Sequence, residues 1–187
     1  MTFNKKVDKK PYQPKPLENE SDVRNALLNL LSRRDYSVKE LTEKLSPRCD
    51  EALLYKVLDA FIEAGYQSDE RFAGALVRNR ASQGYGKMRV LQDARRKGIS
   101  DMLIQAAIQE EAIDWFELAV TAYQKKFKEP LDRQDRKSAD KRMRFLVQRG
   151  FSFDEAKYAI HEANENNSAL ISSLLWCFSN AIPYCAD

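Results

Sequence analysis

Two short junctions of the same design restrict the fold of this chain more than any other feature of its sequence. Gly98-Ile99-Ser100 and Gly150-Phe151-Ser152 each place a glycine, a large apolar residue and a serine in succession, 52 residues apart. Glycine ends helices because it accepts the left-handed backbone conformation, and serine starts them because its hydroxyl accepts from first-turn N–H groups. Glu155 follows Ser152 at the spacing of a capping box. Each junction therefore predicts the end of one helix and the start of the next.

Other junctions repeat this design at a similar interval. In Asp35-Tyr36-Ser37 the serine is followed by Glu40, which again gives the spacing of a capping box. Gly84-Tyr85-Gly86 lies about 50 residues after Arg34-Asp35-Tyr36, a step typical of repeat arrays. Chance similarity between capping signals is the alternative explanation. The shared offset favours an array in which each unit buries its apolar side on its neighbours.

Apolar residues recur with a helical period throughout the centre of the chain. No stretch shows the sustained alternation of a strand bounded by hairpin turns. A typical helical stripe is formed by Leu53, Leu54, Val57, Leu58 and Phe61. We therefore expect an all-α, elongated protein with three tandem repeats of three-helix units. The repeat domain spans residues 21–165, and its units cover about 22–64, 69–113 and 114–165.

The two ends of the chain differ from this centre. Residues 1–20 hold five lysines and three prolines with little apolar content, which predicts a disordered basic arm. Such an arm either tethers a partner or is a solvated tail without function. Residues 166–187 form an apolar tail without charge up to residue 186. Serine and asparagine residues interrupt it, so a short docking helix is favoured over a membrane contact.

The sequence offers little of the chemistry that an enzyme needs. Cys49, Cys177 and Cys185 lack the number and spacing of a disulfide framework, and no apolar signal segment follows Met1. Both features favour the cytoplasm. His161 is the single histidine, and nothing marks the further ligands of a zinc site or the nucleophile of a triad. We expect a protein that is not an enzyme, without metal, cofactor or small-molecule substrate.

One segment resembles part of a phosphate-binding loop. In Gly84-Tyr85-Gly86, however, Arg89 stands where the third glycine would be, and no strand precedes the segment. A turn between two helices is the simpler interpretation. The position at a helix start leaves an anion site as the alternative.

Positive charge is concentrated in two regions. From residue 70 to 98 there are eight basic and two acidic residues, and from residue 125 to 149 there are ten and four, so each region has a net charge of +6. Pairs such as Arg71 and Arg78, or Arg142 and Arg149, are seven residues apart, which places both members on one side of a helix. For any single arginine, a solvated helix face with local ion pairs is the more common case. The whole distribution favours a surface that binds acidic protein patches or phosphates.

The residues proposed to bind the partner are cations of these two regions. They are Arg71, Arg78, Arg80, Lys87, Arg89, Arg95, Arg96, Lys97, Lys137, Lys141, Arg142, Arg144 and Arg149.

Several motifs in this part of the chain together resemble the RecX family of RecA regulators. The motifs are Gly65-Tyr66-Gln67-Ser68-Asp69-Glu70-Arg71-Phe72-Ala73, Gly84-Tyr85-Gly86 with Arg89, Lys97-Gly98-Ile99-Ser100, Glu129-Pro130-Leu131 and Arg144-Phe145-Leu146-Val147-Gln148-Arg149-Gly150-Phe151. The resemblance covers about Val23 to Asn164 and is specific in combination. Two departures are Ala94, where the family's second unit usually has leucine, and the tail after Asn164. The alanine indicates local repacking.

The resemblance implies tandem three-helix repeats, in agreement with the repeat of the junctions. It also implies a cytoplasmic regulator that lodges in the helical groove of the RecA–DNA filament. Such a regulator would inhibit ATP hydrolysis, strand exchange and co-protease activity, and so modulate recombination, DNA repair and the SOS response. We expect a monomer whose partner is the RecA filament, with DNA in the filament as a further contact. The resemblance supplies no catalytic residues.

Two other functions are alternatives to this one. Short helices joined by tight turns could present a recognition helix, which would make the chain a nucleic-acid-binding protein that acts without RecA. The third and least favoured hypothesis is an enzyme that depends on His161.

Overall fold

A computed structural model describes residues 15–129, 131 and 135–165 of the 187-residue chain. This part of the chain holds nine α-helices, a short 3-10 turn at Ser46–Arg48 and no strand, which confirms the all-α prediction. The helices are α1 (Glu20–Leu31), α2 (Val38–Leu45), α3 (Glu51–Glu63), α4 (Asp69–Ser82), α5 (Lys87–Arg96), α6 (Asp101–Glu110), α7 (Trp115–Lys126), α8 (Arg136–Gln148) and α9 (153–165). Residues 1–14 of the predicted arm and the predicted tail at 166–187 lie outside the described residues.

Helices α1, α2 and α3 belong to the first of two compact units, which ends at Ser68. Each helix begins at a side chain that accepts from a first-turn N–H group, at Asn19, Ser37 and Asp50 respectively. The core of this unit is formed by fully buried apolar side chains. They include Leu27, Leu41, Leu45, Leu54, Leu58 and Phe61.

The last residues of the predicted basic arm pack on this first unit. Leu17 is buried and donates its N–H to the Arg48 carbonyl oxygen at 2.7 Å. The Arg48 guanidinium in turn donates to the Lys15 carbonyl oxygen at 3.0 and 3.1 Å. Residues 15–20 are therefore held on the unit, because Leu17 is the apolar anchor of an otherwise polar segment.

The second compact unit, which begins at Asp69, contains two hydrophobic cores. Helix α4 packs on α5 and α6, around a core that includes Phe72, Val77, Val90, Ile99 and Ile104. The other core joins α7, α8 and α9 and includes Val120, Tyr123, Leu146, Phe151 and Ala159. Together with α1–α3, this arrangement gives three groups of three helices, as the repeat predicts.

The glycine–hydrophobe–serine junctions are built as their sequence predicts. Gly98 and Gly150 have φ angles of +77° and +89° at the ends of α5 and α8. The Ser100 hydroxyl caps the start of α6. Ser152 forms a complete capping box, since its hydroxyl accepts from the Glu155 N–H at 3.2 Å and its own N–H donates to the Glu155 carboxylate at 2.7 Å.

The turn between α4 and α5 contacts the turn between α8 and α9, and these interlocked turns join the two cores of the second unit. Gly86 donates its N–H to the Arg149 carbonyl oxygen at 2.9 Å, and Met88 donates to the Gly150 carbonyl oxygen at 3.0 Å. A Cβ atom placed on Gly86 would lie 2.3 Å from the Gly150 oxygen, and one placed on Gly150 would lie 2.5 Å from the Arg89 nitrogen. The contact therefore requires glycine at both positions.

This contact also decides between the two interpretations of Gly84-Tyr85-Gly86. The segment is a turn between α4 and α5, and N–H groups at the start of α5 donate to carbonyl oxygens of the α8–α9 junction. The N–H groups of Gly86, Met88 and Arg89, which an anion at this helix start would need, already donate to carbonyl oxygens. The structure therefore does not support the alternative of an anion site at this helix start.

Replacing Gly150 with alanine should lower the free energy of unfolding of the second unit by about 3 kcal/mol or more. A left-handed alanine costs roughly 1–2 kcal/mol, and the added methyl group would also overlap the Arg89 backbone. Gly84→Ala is the matched control, because Gly84 has a φ of +73° but its Cβ would first meet the flexible end of Arg149, at 3.2 Å. Urea unfolding followed by circular dichroism measures both variants. If Gly150→Ala and Gly84→Ala lowered the free energy of unfolding equally, the contact between the two turns would not account for the loss.

Candidate partner-binding surface

A buried aspartate on α5 gathers three of the predicted binding residues. The Asp93 carboxylate is 0% exposed and accepts hydrogen bonds from the Arg80 Nε at 2.7 Å and from the Arg96 guanidinium. The Arg89 Nε lies 3.5 Å from the same carboxylate. Because a buried carboxylate without partners is costly, packing of α5 also fixes the positions of these guanidinium groups.

The ring of Tyr85, in the turn between α4 and α5, contacts three guanidinium groups. Those of Arg80, Arg89 and Arg149 lie 5.7, 5.6 and 5.2 Å from the ring centroid, within the range of cation–π attraction. Arg149 also donates to the carbonyl oxygens of the two residues before Tyr85, at 2.9 and 3.1 Å. An arginine from the end of α8 thus satisfies backbone groups at the end of α4.

Four arginines, one carboxylate and one ring form a single group, which we call the arginine cluster: Arg80, Arg89, Arg96, Arg149, Asp93 and Tyr85. It brings four positive charges to one negative charge. The side chains of Arg89 and Arg96 are 37% and 62% exposed, so part of this charge is accessible to a partner. Their seven-residue spacing has a structural cause, because both reach Asp93, which lies between them on α5.

Arg142 is placed differently from the other predicted residues. It is 7% exposed, and its Nη1 donates to the Tyr123 hydroxyl and, at 3.0 Å, to the Glu129 carbonyl oxygen. Its guanidinium also lies 5.1 Å from the centroid of the Phe127 ring. Arg142 therefore helps to pack α8 on α7. It does not share a surface with Arg149, although the two residues are seven positions apart. Spacing could not show this, because it tells which residues share a helix side but not where that side points.

Two further cations pair with acidic residues inside the same unit. Arg78 on α4 forms an ion pair with Glu111. Arg95 forms a bidentate pair with Asp101 at 3.0 and 3.3 Å, and the hydrogen bonds that the guanidinium donates to this carboxylate raise the pKa of the arginine. Both arginine side chains are more than half exposed, so a partner can still reach them.

A third basic surface lies on α8. Lys137, Lys141 and Arg144 are spaced by four and three residues, so they lie on the same side of the helix, and all three are exposed. We call these three residues the α8 face. The remaining predicted cations are single positions on α4 and at the two ends of α5: Arg71, Lys87 and Lys97.

A groove of about 490 Å³ lies between α5 and the end of α8, beside the arginine cluster. Met88 and Val147 line it and are 60% and 48% exposed. Neither is among the predicted binding residues, which were chosen by charge. The structure shows that each falls outside the set of residues that its own helix buries.

The remaining candidate chemistry lies on single residues. Within the described ranges, no group of histidine, cysteine and acidic side chains is placed to hold a metal ion. None of the helices in that part of the chain is long and apolar enough to span a bilayer. His161 is exposed on α9. Partial burial raises the pKa of the Cys49 thiol, which makes it a poor nucleophile at neutral pH.

Two family models match the second unit. Residues 68–108 match the second three-helix domain of RecX, and residues 112–160 match its third three-helix domain. The first match includes α4, α5 and α6. The second includes α7, α8 and much of α9, so the interlocked turns join two domains of the same family.

Curated relatives match over almost their whole length. Regulatory protein RecX of Chromohalobacter salexigens is 39% identical over 150 residues, which are 79% of this chain and 96% of that protein. The RecX protein of Vibrio parahaemolyticus is 38% identical over 144 residues, or 76% of this chain and 92% of that protein. The RecX protein of Halorhodospira halophila is 34% identical over 146 residues, or 78% and 90%.

Solved structures show the same fold. The crystal structure of RecX from Lactobacillus salivarius matches with a TM-score of 0.67 at 26% identity, over 78% of this chain and 96% of that one. A second RecX crystal structure, at 22% identity, has a TM-score of 0.64 and supports the fold alone. The repeated helix groups, both family models and the named relatives agree, and we conclude that this chain belongs to the RecX family of regulatory proteins.

Proposed function

We propose that this chain binds the RecA–DNA filament and inhibits its ATPase, strand-exchange and co-protease activities, and so modulates recombination and DNA repair. Its membership of a family of regulatory proteins supports a regulatory role. The observation that carries the proposal is the arginine cluster, where the fold fixes three guanidinium groups around one buried carboxylate and a fourth, that of Arg149, against the Tyr85 ring. A filament of protein and nucleic acid offers such a surface both carboxylates and phosphates.

Inhibition in this proposal needs no catalytic step. The cations of α4, α5 and α8 belong to one compact unit, so they meet the filament as a preorganised array and lose less freedom on binding. An array that contacts neighbouring subunits would block their relative motion and the access of a second DNA. On this proposal the chain acts as a cytoplasmic monomer and not as an enzyme.

A nucleic-acid-binding protein that acts without RecA is the second candidate. The α8 face favours it, because three exposed cations on one side of a helix can contact successive phosphates. Binding of this kind weakens steeply with salt and does not depend on RecA. The two candidates therefore separate when the same titration is made with and without RecA.

The purified chain should lower the DNA-dependent ATPase rate of RecA on single-stranded DNA by about tenfold at saturation, the size of a typical coupling between sites. Phosphate release measures the rate, and fluorescence anisotropy of labelled DNA without RecA is the control. An unchanged ATPase rate at a saturating concentration would contradict the proposal. Tight, salt-sensitive binding to DNA alone, with the ATPase unaffected, would favour the second candidate.

Reversing the charges of the α8 face tests where the filament is bound. The triple variant Lys137→Glu, Lys141→Glu and Arg144→Glu should weaken filament binding about 100-fold. Each reversal replaces an attraction with a repulsion, and this change costs roughly 1 kcal/mol of binding free energy per residue. Lys157→Glu is the control, because Lys157 is exposed on α9 and lies outside the predicted set.

Co-sedimentation with the filament measures the affinity of each variant, and circular dichroism checks that helicity is kept. The Lys157→Glu variant should bind like the unaltered chain. A folded triple variant that also binds like the unaltered chain would remove the α8 face from the proposed surface.

A further inference from the structure

The groove beside the arginine cluster leaves large apolar side chains in contact with water. Met88 on α5 and Val147 on α8 are among the exposed large hydrophobic residues of the chain. Leu91, one helical turn after Met88, lines the same groove. Apolar surface rimmed by polar residues is typical of sites where proteins interact, and methionine adapts its shape to a partner.

Among the described residues, the charged side chains that line this groove are all arginines. Arg95 and Arg96 contribute side chains that are 67% and 62% exposed, and Arg89 contributes a less exposed one. Their acidic partners do not line the groove, because Asp93 is fully buried and Asp101 lies on α6. The groove is therefore lined both by apolar side chains and by positively charged ones.

This composition selects one class of occupant. Single-stranded nucleic acid stacks its bases on aromatic rings, and none of the described residues that line the groove is aromatic. A second copy of the chain in a two-fold arrangement would bring the same arginines together. An acidic protein segment with a large apolar residue matches both kinds of lining residue. Its carboxylates can pair with Arg95 and Arg96, and its apolar side chain can pack on Met88 and Val147. Arginine and methionine are both enriched in protein interfaces.

We propose that this groove docks an acidic segment of the filament's protein, and that a large apolar side chain of the segment inserts between Met88 and Val147. This inference rests on the proposed function, since it assigns the segment to RecA and not to the DNA. It adds an apolar contact to a surface defined so far by charge. Salt screens the charged contacts but not the apolar one.

The double variant Met88→Ser and Val147→Ser should bind the RecA filament about tenfold more weakly, in the range of central interface residues, and the loss should persist at high salt. Both side chains are exposed to water, Met88 to 60% and Val147 to 48%, so we expect the variant to keep its helicity by circular dichroism. Met102→Ser is the matched control, because Met102 is a methionine of α6 that is 82% exposed and lies outside the groove. A double variant that binds like this control overturns the inference.

A photo-crosslinking amino acid at Gln148, which lines the groove beside Val147, identifies the occupant. After irradiation of the complex with RecA filaments on single-stranded DNA, mass spectrometry should find a RecA peptide that is rich in acidic residues and holds a large apolar residue. Crosslinks only to DNA, or to a second copy of the chain, overturn the inference.

Co-sedimentation in the same samples separates the two proposals. If the chain sediments with the filament but gives no protein crosslink from position 148, the inference fails and the proposed function stands. If the chain does not sediment with the filament at all, the proposed function fails and the inference fails with it.

Discussion

The carboxylate of Asp93 is fully removed from water, and guanidinium groups from α4 and α5 compensate it. Arg80 and Arg96 donate to it directly, while Tyr85 adds a ring that also contacts Arg149 from the end of α8. The buried carboxylate of Asp93 thus fixes the positions of the guanidinium groups that pair with it. The arginines serve the fold and the surface together, because they compensate Asp93 and still expose part of their side chains.

The interlocked turns place this cluster where two helix groups meet. Gly86 and Gly150 bring their backbones into direct contact, and this contact sets α5 beside the end of α8. The same approach creates the groove that Met88 and Val147 line. The groove and the placement of Arg149 therefore depend on a close contact that only glycine permits, whereas Asp93 positions the arginines of α4 and α5.

The helices and their junctions could be predicted from the sequence because their signals are local. Ser152 and Glu155 are three residues apart, and their reciprocal capping follows from that spacing alone. The site could be predicted only in part. Arg142 has the same residue type and spacing as exposed arginines, yet Tyr123 and Glu129 receive its guanidinium in the interior.

The role of Asp93 could not be read from the sequence either. It is one acidic residue in a basic region, and its burial depends on Arg80, thirteen residues earlier, and on how α4 meets α5. Met88 and Val147 pose the same difficulty, because a large apolar residue in a helix is normally assigned to the core. Tertiary packing decides these cases, and residue spacing does not encode it.

Comparison of Asp93→Asn with Asp101→Asn tests this account most directly. Each variant removes a carboxylate that pairs with arginine, but Asp93 is fully buried whereas Asp101 is 64% exposed. Asp93→Asn should lower the free energy of unfolding by roughly 2 kcal/mol or more, since the new amide turns N–H groups toward guanidinium donors, and it should weaken filament binding. Asp101→Asn should cost less than about 1 kcal/mol and should not weaken binding, because it leaves the Arg95 guanidinium in place for a partner. An Asp93→Asn variant with the stability and filament affinity of the unaltered chain would contradict the account.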